Sequence, residues 1–176
     1  LRSGLGNGAA VLRWKAILFQ TRRKMPTQLA LHFRAEVDAL RAALAALSPE
    51  LAAIPWRDGG WTRKQIIGHM LDSAANNRQR FVRAAIHGSY TGPDYAQSAW
   101  VDAHGYESQP WATLLEWWRV EHEILAAVVD RIPEERFESI CIVGDHEPVT
   151  LRFVVEDYFR HQRWHLAQLA APVSAA

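Results

Sequence analysis

The chain has 176 residues, 49% hydrophobic and 22% charged, with a formal net charge of +1; this is the size of one ordinary domain, with enough apolar material for its own core. Its single cysteine, Cys141, excludes an intramolecular disulfide framework and any zinc site built on paired cysteines, and no apolar run approaches the roughly 18 residues that would argue a membrane span. Six of the 20 basic residues and none of the 19 acidic ones fall within residues 1–24, so the remainder holds 14 basic against 19 acidic side chains and no basic face suited to nucleic acid.

Residues 1–24 are Gly-rich and then basic, and they run into Met25. They read as a disordered or non-native leader ahead of a domain spanning 25–176, with an Arg-rich targeting peptide as the rival. Gly4, Gly6 and Gly8 follow no predicted strand and make a poor nucleotide loop.

Steps of three and four keep side chains on one helix face. A first helix from about Thr27 to Leu47 carries the stripe Phe33, Val37, Leu40, Leu44 and Leu47, with Ser48-Pro49 ending it and His32 at its surface or boundary. A second starts at Thr62, which can cap the backbone while Gln65 reaches back and Trp61 packs on Ile66. It runs to about Ile86, before Gly88, with an apolar face of Ile67, Met70, Ala74, Phe81 and Ala85, edged by His69, Ser73, Asn76 and Arg80. Residues 88–109 are too long for a simple turn and predict a crossover. A third helix, about Pro110 to Ile132, has the stripe Trp111, Leu115, Trp118, His122, Leu125, Val129 and Ile132. Residues 139–149 predict a short extended excursion turning at Gly144-Asp145. Thr150 then caps a fourth helix, Leu151 to Leu169, whose stripe is Leu151, Val154, Tyr158, His161, His165 and Gln168 or Leu169. The fold class is all-α, a four-helix bundle with a long crossover between the second and third helices.

The fourth helix is the informative one, because two histidines occupy consecutive inward positions. At i and i+4 both rings point the same way and can share one ion, as in the HExxH helix of zinc proteases. No glutamate follows His161, which disfavours that protease mechanism. An HxxxH pair alone reads equally as hydrogen-bonded core histidines. His69, on the edge of the second helix, adds a third imidazole, and a three-histidine site leaves coordination positions open for water or substrate. Asn76 and Arg80 could orient an anionic substrate, or form a solvated margin. His122 could face the pocket as proton carrier or extra ligand, although a hydrogen-bonded core histidine is the more ordinary reading. Asp72 and Asp157 lie about a turn from ligand positions and could orient imidazoles from behind, or be exposed carboxylates. Tyr158 more readily packs than reacts, His87, His104 and His146 fall in expected loops, and the eight tryptophans do not require a stacking role.

The segments WTRKQIIGHMLDSAANNRQRFVRA, PDYAQSAWVDAHGY and VTLRFVVEDYFRHQRWHLAQL resemble corresponding stretches of the DinB/YfiT-like superfamily over nearly the whole chain after Met25. The family pattern is one histidine on the second helix and HxxxH on the fourth; His69, His161 and His165 match it. The resemblance implies a divalent metal ion on these three residues, with zinc or nickel first and iron, cobalt or copper also suited to imidazoles. It implies a metal-dependent transferase that joins a low-molecular-weight thiol of the bacillithiol or mycothiol type to an electrophile. A metal-dependent hydrolase, or a non-catalytic metal- or ligand-binding stress protein, are the alternatives. A small-molecule substrate, a homodimer and a cytoplasmic location complete the expectation.

Overall fold

A computed structural model describes residues 26–171; the expected leader, residues 1–24, lies outside the described residues. Four long helices form the frame: α1 (Gln28–Ala45), α3 (Arg63–His87), α5 (Trp111–Val129) and α6 (Leu151–Leu169), with short α2 (Pro49–Ala52) and α4 (Gln97–His104) in the connections. Three strands, β1 (Ser89–Gly92), β2 (Ile140–Val143) and β3 (Val149–Thr150), form one small sheet. The all-α bundle expectation holds.

The local signals act where the sequence places them. Thr62 accepts a hydrogen bond from the Gln65 amide while the Gln65 side chain returns to the Thr62 amide, a complete capping box that fixes the start of α3. Gly88 adopts φ 79° and closes the helix in the left-handed conformation that glycine tolerates without strain. Thr27 and Thr150 cap α1 and α6 through their side chains. The third long helix is shorter than its stripe predicts, since Pro110 is its N-cap and Asp130 its C-cap.

Helix α3 packs on α5 and α6, and α1 packs on the same two, so α1 and α3 face one another across the bundle. The core between them holds Phe33, Leu40 and Leu44 of α1, Ile66, Ile67, Met70 and Phe81 of α3, Leu114, Trp118 and Leu125 of α5, and Val155, Tyr158 and Phe159 of α6. Arg63 is fully buried, and its guanidinium donates to the carbonyls of Ile54, Pro55, Leu169 and Ala171. It thereby ties the stem of the α2–α3 loop to the last turn of α6.

The crossover is more structured than expected. After α3 the chain forms β1, which pairs in parallel with β2 from Ser89↔Ile140 to Gly92↔Val143, and β2 then pairs antiparallel with β3. The Gly144 amide extends the link by donating to the Gly92 carbonyl at 2.9 Å. The excursion over 139–149 is thus strand, turn and strand as read, but its main partner lies some fifty residues earlier. No described helix is long and apolar enough to cross a membrane.

Candidate metal centre

With its start fixed at Thr62, α3 presents His69, Ser73, Asn77 and Arg80 toward α6 and the crossover. Steps of four, four and three keep them on one face. From α6, His161 and His165 meet this line. The Nε2 atom of His161 lies 3.0 Å from Nε2 of His69 and 3.0 Å from Nε2 of His165, and one ligand atom from each ring lies within 4.8 Å of the other two. His69 and His165 are buried and His161 is half-buried.

These nitrogens cannot all satisfy one another. A ring nitrogen offers one proton or one in-plane lone pair, so His161 Nε2 can pair with only one of its two neighbours. Gln168 Oε1 lies 2.8 Å from His165 Nδ1; an amide oxygen only accepts, so Nδ1 carries the proton and Nε2 turns a lone pair toward the cluster. His161 Nδ1 has Ser73 Oγ at 3.4 Å, and His69 Nδ1 is buried without a partner among the described residues. Nitrogens bound to one zinc ion at about 2.0–2.1 Å stand roughly 3.3 Å apart in a tetrahedral set, close to the spacing found. The donor set therefore fits a single cation, and three imidazoles leave room for an additional ligand.

The electrostatics suit this. Burial lowers the pKa of His69 to about 3, with the charges His165 and His161 would carry adding to the shift. Burial followed by His161 lowers His165 to about 4, against the opposing hydrogen bond to Gln168. His161 is also lowered by burial, with Asp157 acting in the opposite direction. All three rings are thus neutral near pH 7, the form that ligates.

Two recesses reach the cluster. A charged cavity of ≈ 550 Å³ is walled by Ser73, Asn77 and Arg80, by Asp94 and Tyr95 after β1, by Val143, His146 and Glu147 of the β2–β3 turn, and by Phe153, Asp157, Tyr158 and His161 of α6. Arg80 is 9% exposed and makes one long ion pair, 3.3 Å, with Asp94. The second recess, ≈ 530 Å³, is lined by Trp56, Arg57, Trp61, Trp164 and two of the cluster histidines, His161 and His165.

The other sequence candidates divide. Arg80 lines the charged cavity. Asn76 does not: its amide turns back to the Asp72 carbonyl at 2.9 Å, and Asn77, four residues after Ser73, takes the cavity position. His122 is a satisfied core residue rather than a pocket group. Its Nδ1 donates to the Trp118 carbonyl at 2.8 Å, which leaves Nε2 to accept from the Tyr158 hydroxyl at 2.6 Å. Asp72 is buried, yet it turns toward the α4 side and accepts from the Tyr106 hydroxyl at 2.6 Å rather than meeting an imidazole of the cluster. Asp157 is exposed, pairs with Arg160, and lines the cavity without bonding His161. Gln168 and Ser73 stand behind the rings instead; Gln168 was visible as a polar residue in the α6 stripe, three residues after His165. Trp61, expected on Ile66, has its ring 5.2 Å from that of His69. Cys141 is buried, and burial raises its thiol to about 11, so it is no nucleophile near neutrality.

The sequence model of the DinB superfamily matches residues 32–169, a span that contains all three histidines. The chain belongs to the DinB superfamily. Among DinB relatives, a protein of Geobacillus thermodenitrificans named "Putative metal-dependent hydrolase" is 31% identical over 75% of each chain. The similarly named YfiT of Bacillus subtilis is 25% identical over 76% of each. The solved structure of YfiT, described as a four-helix bundle of unusual topology, superposes with a TM-score of 0.72 at 20% identity, covering 86% of this chain and 89% of that one. A mycothiol-dependent maleylpyruvate isomerase superposes with a TM-score of 0.68 at 14% identity, over 82% of this chain and 60% of its own. These superpositions establish a shared fold.

Proposed function

We propose that His69, His161 and His165 hold one divalent cation, zinc or nickel first, and that the protein is a transferase joining a low-molecular-weight thiol to an electrophile. The observation that carries this reading is the convergence of three neutral imidazoles, two buried and one half-buried, whose Nε2 atoms cannot satisfy one another. The chemistry such an ion supplies is to favour thiolate over thiol, or hydroxide over water, near neutral pH. The chain's own groups do the rest. Gln168 and Ser73 orient the rings, Arg80 pairs with an anionic substituent of the substrate, and Asn77 adds an amide beside it. Burial and the Asp72 carboxylate hold the Tyr95 hydroxyl well above its ordinary range, so it remains a proton donor at the cavity wall.

A hydrolase is the second reading, supported by the names of the relatives and by the same donor set acting on water. Elemental analysis of protein purified without a tag or added metal, beside His161→Ala, tests the ion: one divalent cation per chain in the parent and its loss in the variant are expected. A parent that takes up no zinc, nickel or iron would overturn both readings. Conjugation of bacillithiol and mycothiol to electrophiles, run against a panel of esters and amides, separates transferase from hydrolase.

A further inference from the structure

The second recess has a chemical character of its own. The loop between α2 and α3 is pinched at its base by the Pro55↔Thr62 bridge and by the Trp56 amide donating to the Trp61 carbonyl at 3.2 Å. It presents Trp56 and Trp61 beside the cluster. Trp61 lies 5.2 Å, ring to ring, from His69, and Trp164 of α6 lies edge-on to His165 at 4.6 Å. Two of the three imidazoles are therefore each flanked by an indole, and a third indole, Trp56, completes the wall. Trp164 is 59% exposed, an unusual expense of apolar surface for a helix position beside a buried cluster. Gly60 keeps the wall open: a Cβ there would sit 2.9 Å from Arg57 Cγ and 3.0 Å from Trp56 Nε1.

Charge separates this recess from the cavity beside it. The cavity holds Arg80 together with three carboxylates, Asp94, Glu147 and Asp157. No carboxylate lines the indole recess, and its one cation, Arg57, stacks 4.8 Å above the Trp56 ring. The two linings share Gln97 and His161, and His161 is the middle nitrogen of the cluster. Flat π faces, one of them carrying the Arg57 guanidinium, select a planar, electron-poor ring bearing a negative group.

We propose that the recess formed by Trp56, Trp61, Trp164 and Arg57 is a second ligand subsite, which takes a planar aromatic group with an anionic substituent and brings it to His161. Two unlike subsites meeting at Gln97 and His161 suit a reaction between two substrates, one charged and one aromatic. The role as a co-substrate site rests on the transferase reading, whereas the binding itself does not.

Equilibrium dialysis of 4-nitrobenzoate against the zinc-supplied full chain tests it, with cyclohexanecarboxylate as the non-planar control and metal content measured on the same samples. Saturable binding of 4-nitrobenzoate is expected, with cyclohexanecarboxylate about tenfold weaker. Trp164→Ala, at an exposed position that leaves the core intact, and Trp56→Ala should each weaken 4-nitrobenzoate about tenfold, and Arg57→Gln severalfold. Arg80→Met, in the other cavity, should leave it unchanged. Absence of saturable binding, equal binding of the two carboxylates, or a loss confined to Arg80→Met would overturn the subsite. Aromatic binding by a chain that retains no metal would overturn the metal reading and leave the subsite standing; metal retained without aromatic binding would do the reverse.

Discussion

The amide oxygen of Gln168 accepts a 2.8 Å hydrogen bond from Nδ1 of His165, and this contact decides which nitrogen of that ring faces His161. Replacing it by leucine frees the ring to rotate or to change tautomer. Gln168→Leu should bind the cation about 10–100-fold more weakly, with the helices intact. Competition against a chromophoric chelator measures this; an unchanged affinity would mean that Gln168 does not set the tautomer.

His122 carries a pH signature. Burial holds its folded pKa at about 4, against the opposing hydrogen bond that its Nδ1 donates to the Trp118 carbonyl, while the unfolded chain takes up a proton near 6.5. Between those values the unfolded state binds more protons, so stability falls as pH drops from about 6.5 toward 4, by up to about 1.4 kcal/mol per pH unit for this group. The cluster histidines act in the same direction in metal-free protein, so the informative comparison is with a variant. Urea midpoints of metal-free His122→Gln at pH 7 and pH 5 should show a shallower loss than the parent, and parallel losses would refute the assignment.

Gly68 precedes His69 because no side chain fits there. A Cβ at this position would stand 1.9 Å from Cδ2 of Tyr106, whose buried ring bonds Asp72. Gly68→Ala should destabilise the fold by about 2 kcal/mol through overpacking, despite alanine's better helix propensity. A thermal melt equal to or above that of the parent would contradict this.

Arg63 supplies donors to four carbonyls at two places in the chain, Ile54 and Pro55 at one and Leu169 and Ala171 at the other. Arg63→Met leaves those acceptors unpaired and should cost on the order of 3 kcal/mol in chemical denaturation. Arg63→Lys should recover little, because a single ammonium cannot span the fork. Full stability in the lysine variant would show that charge, and not geometry, is what matters there.

How much of this was legible in the sequence follows the distance over which each signal acts. Thr62 and Gln65, Thr150, Gly88 and the pair His161 and His165 all work within one or two helical turns, and the structure places them as read. Asn76 and Asn77 differ by one residue on a 100° rotation, and only the position of α6 and the crossover decides which enters the cavity. His122 and Asp72 take their meaning from hydroxyls 36 and 34 residues away, Tyr158 and Tyr106. No periodicity announces such partners. The parallel β1–β2 pair is similarly remote, and each four-residue strand is too short to read alone.

That strand pair has an evolutionary consequence. It clips together the two chain segments that carry Asp94 and Tyr95 on one side and Val143, His146 and Glu147 on the other, while the imidazoles stand on α3 and α6. The part of the molecule that spaces three nitrogens is thus separate from the part that shapes what approaches them. Insertions or exchanges in the turn after β2 can retune the entrance of the charged cavity while the bundle keeps its histidines in register, so a lineage can try new substrates at one end without rebuilding the anchorage at the other.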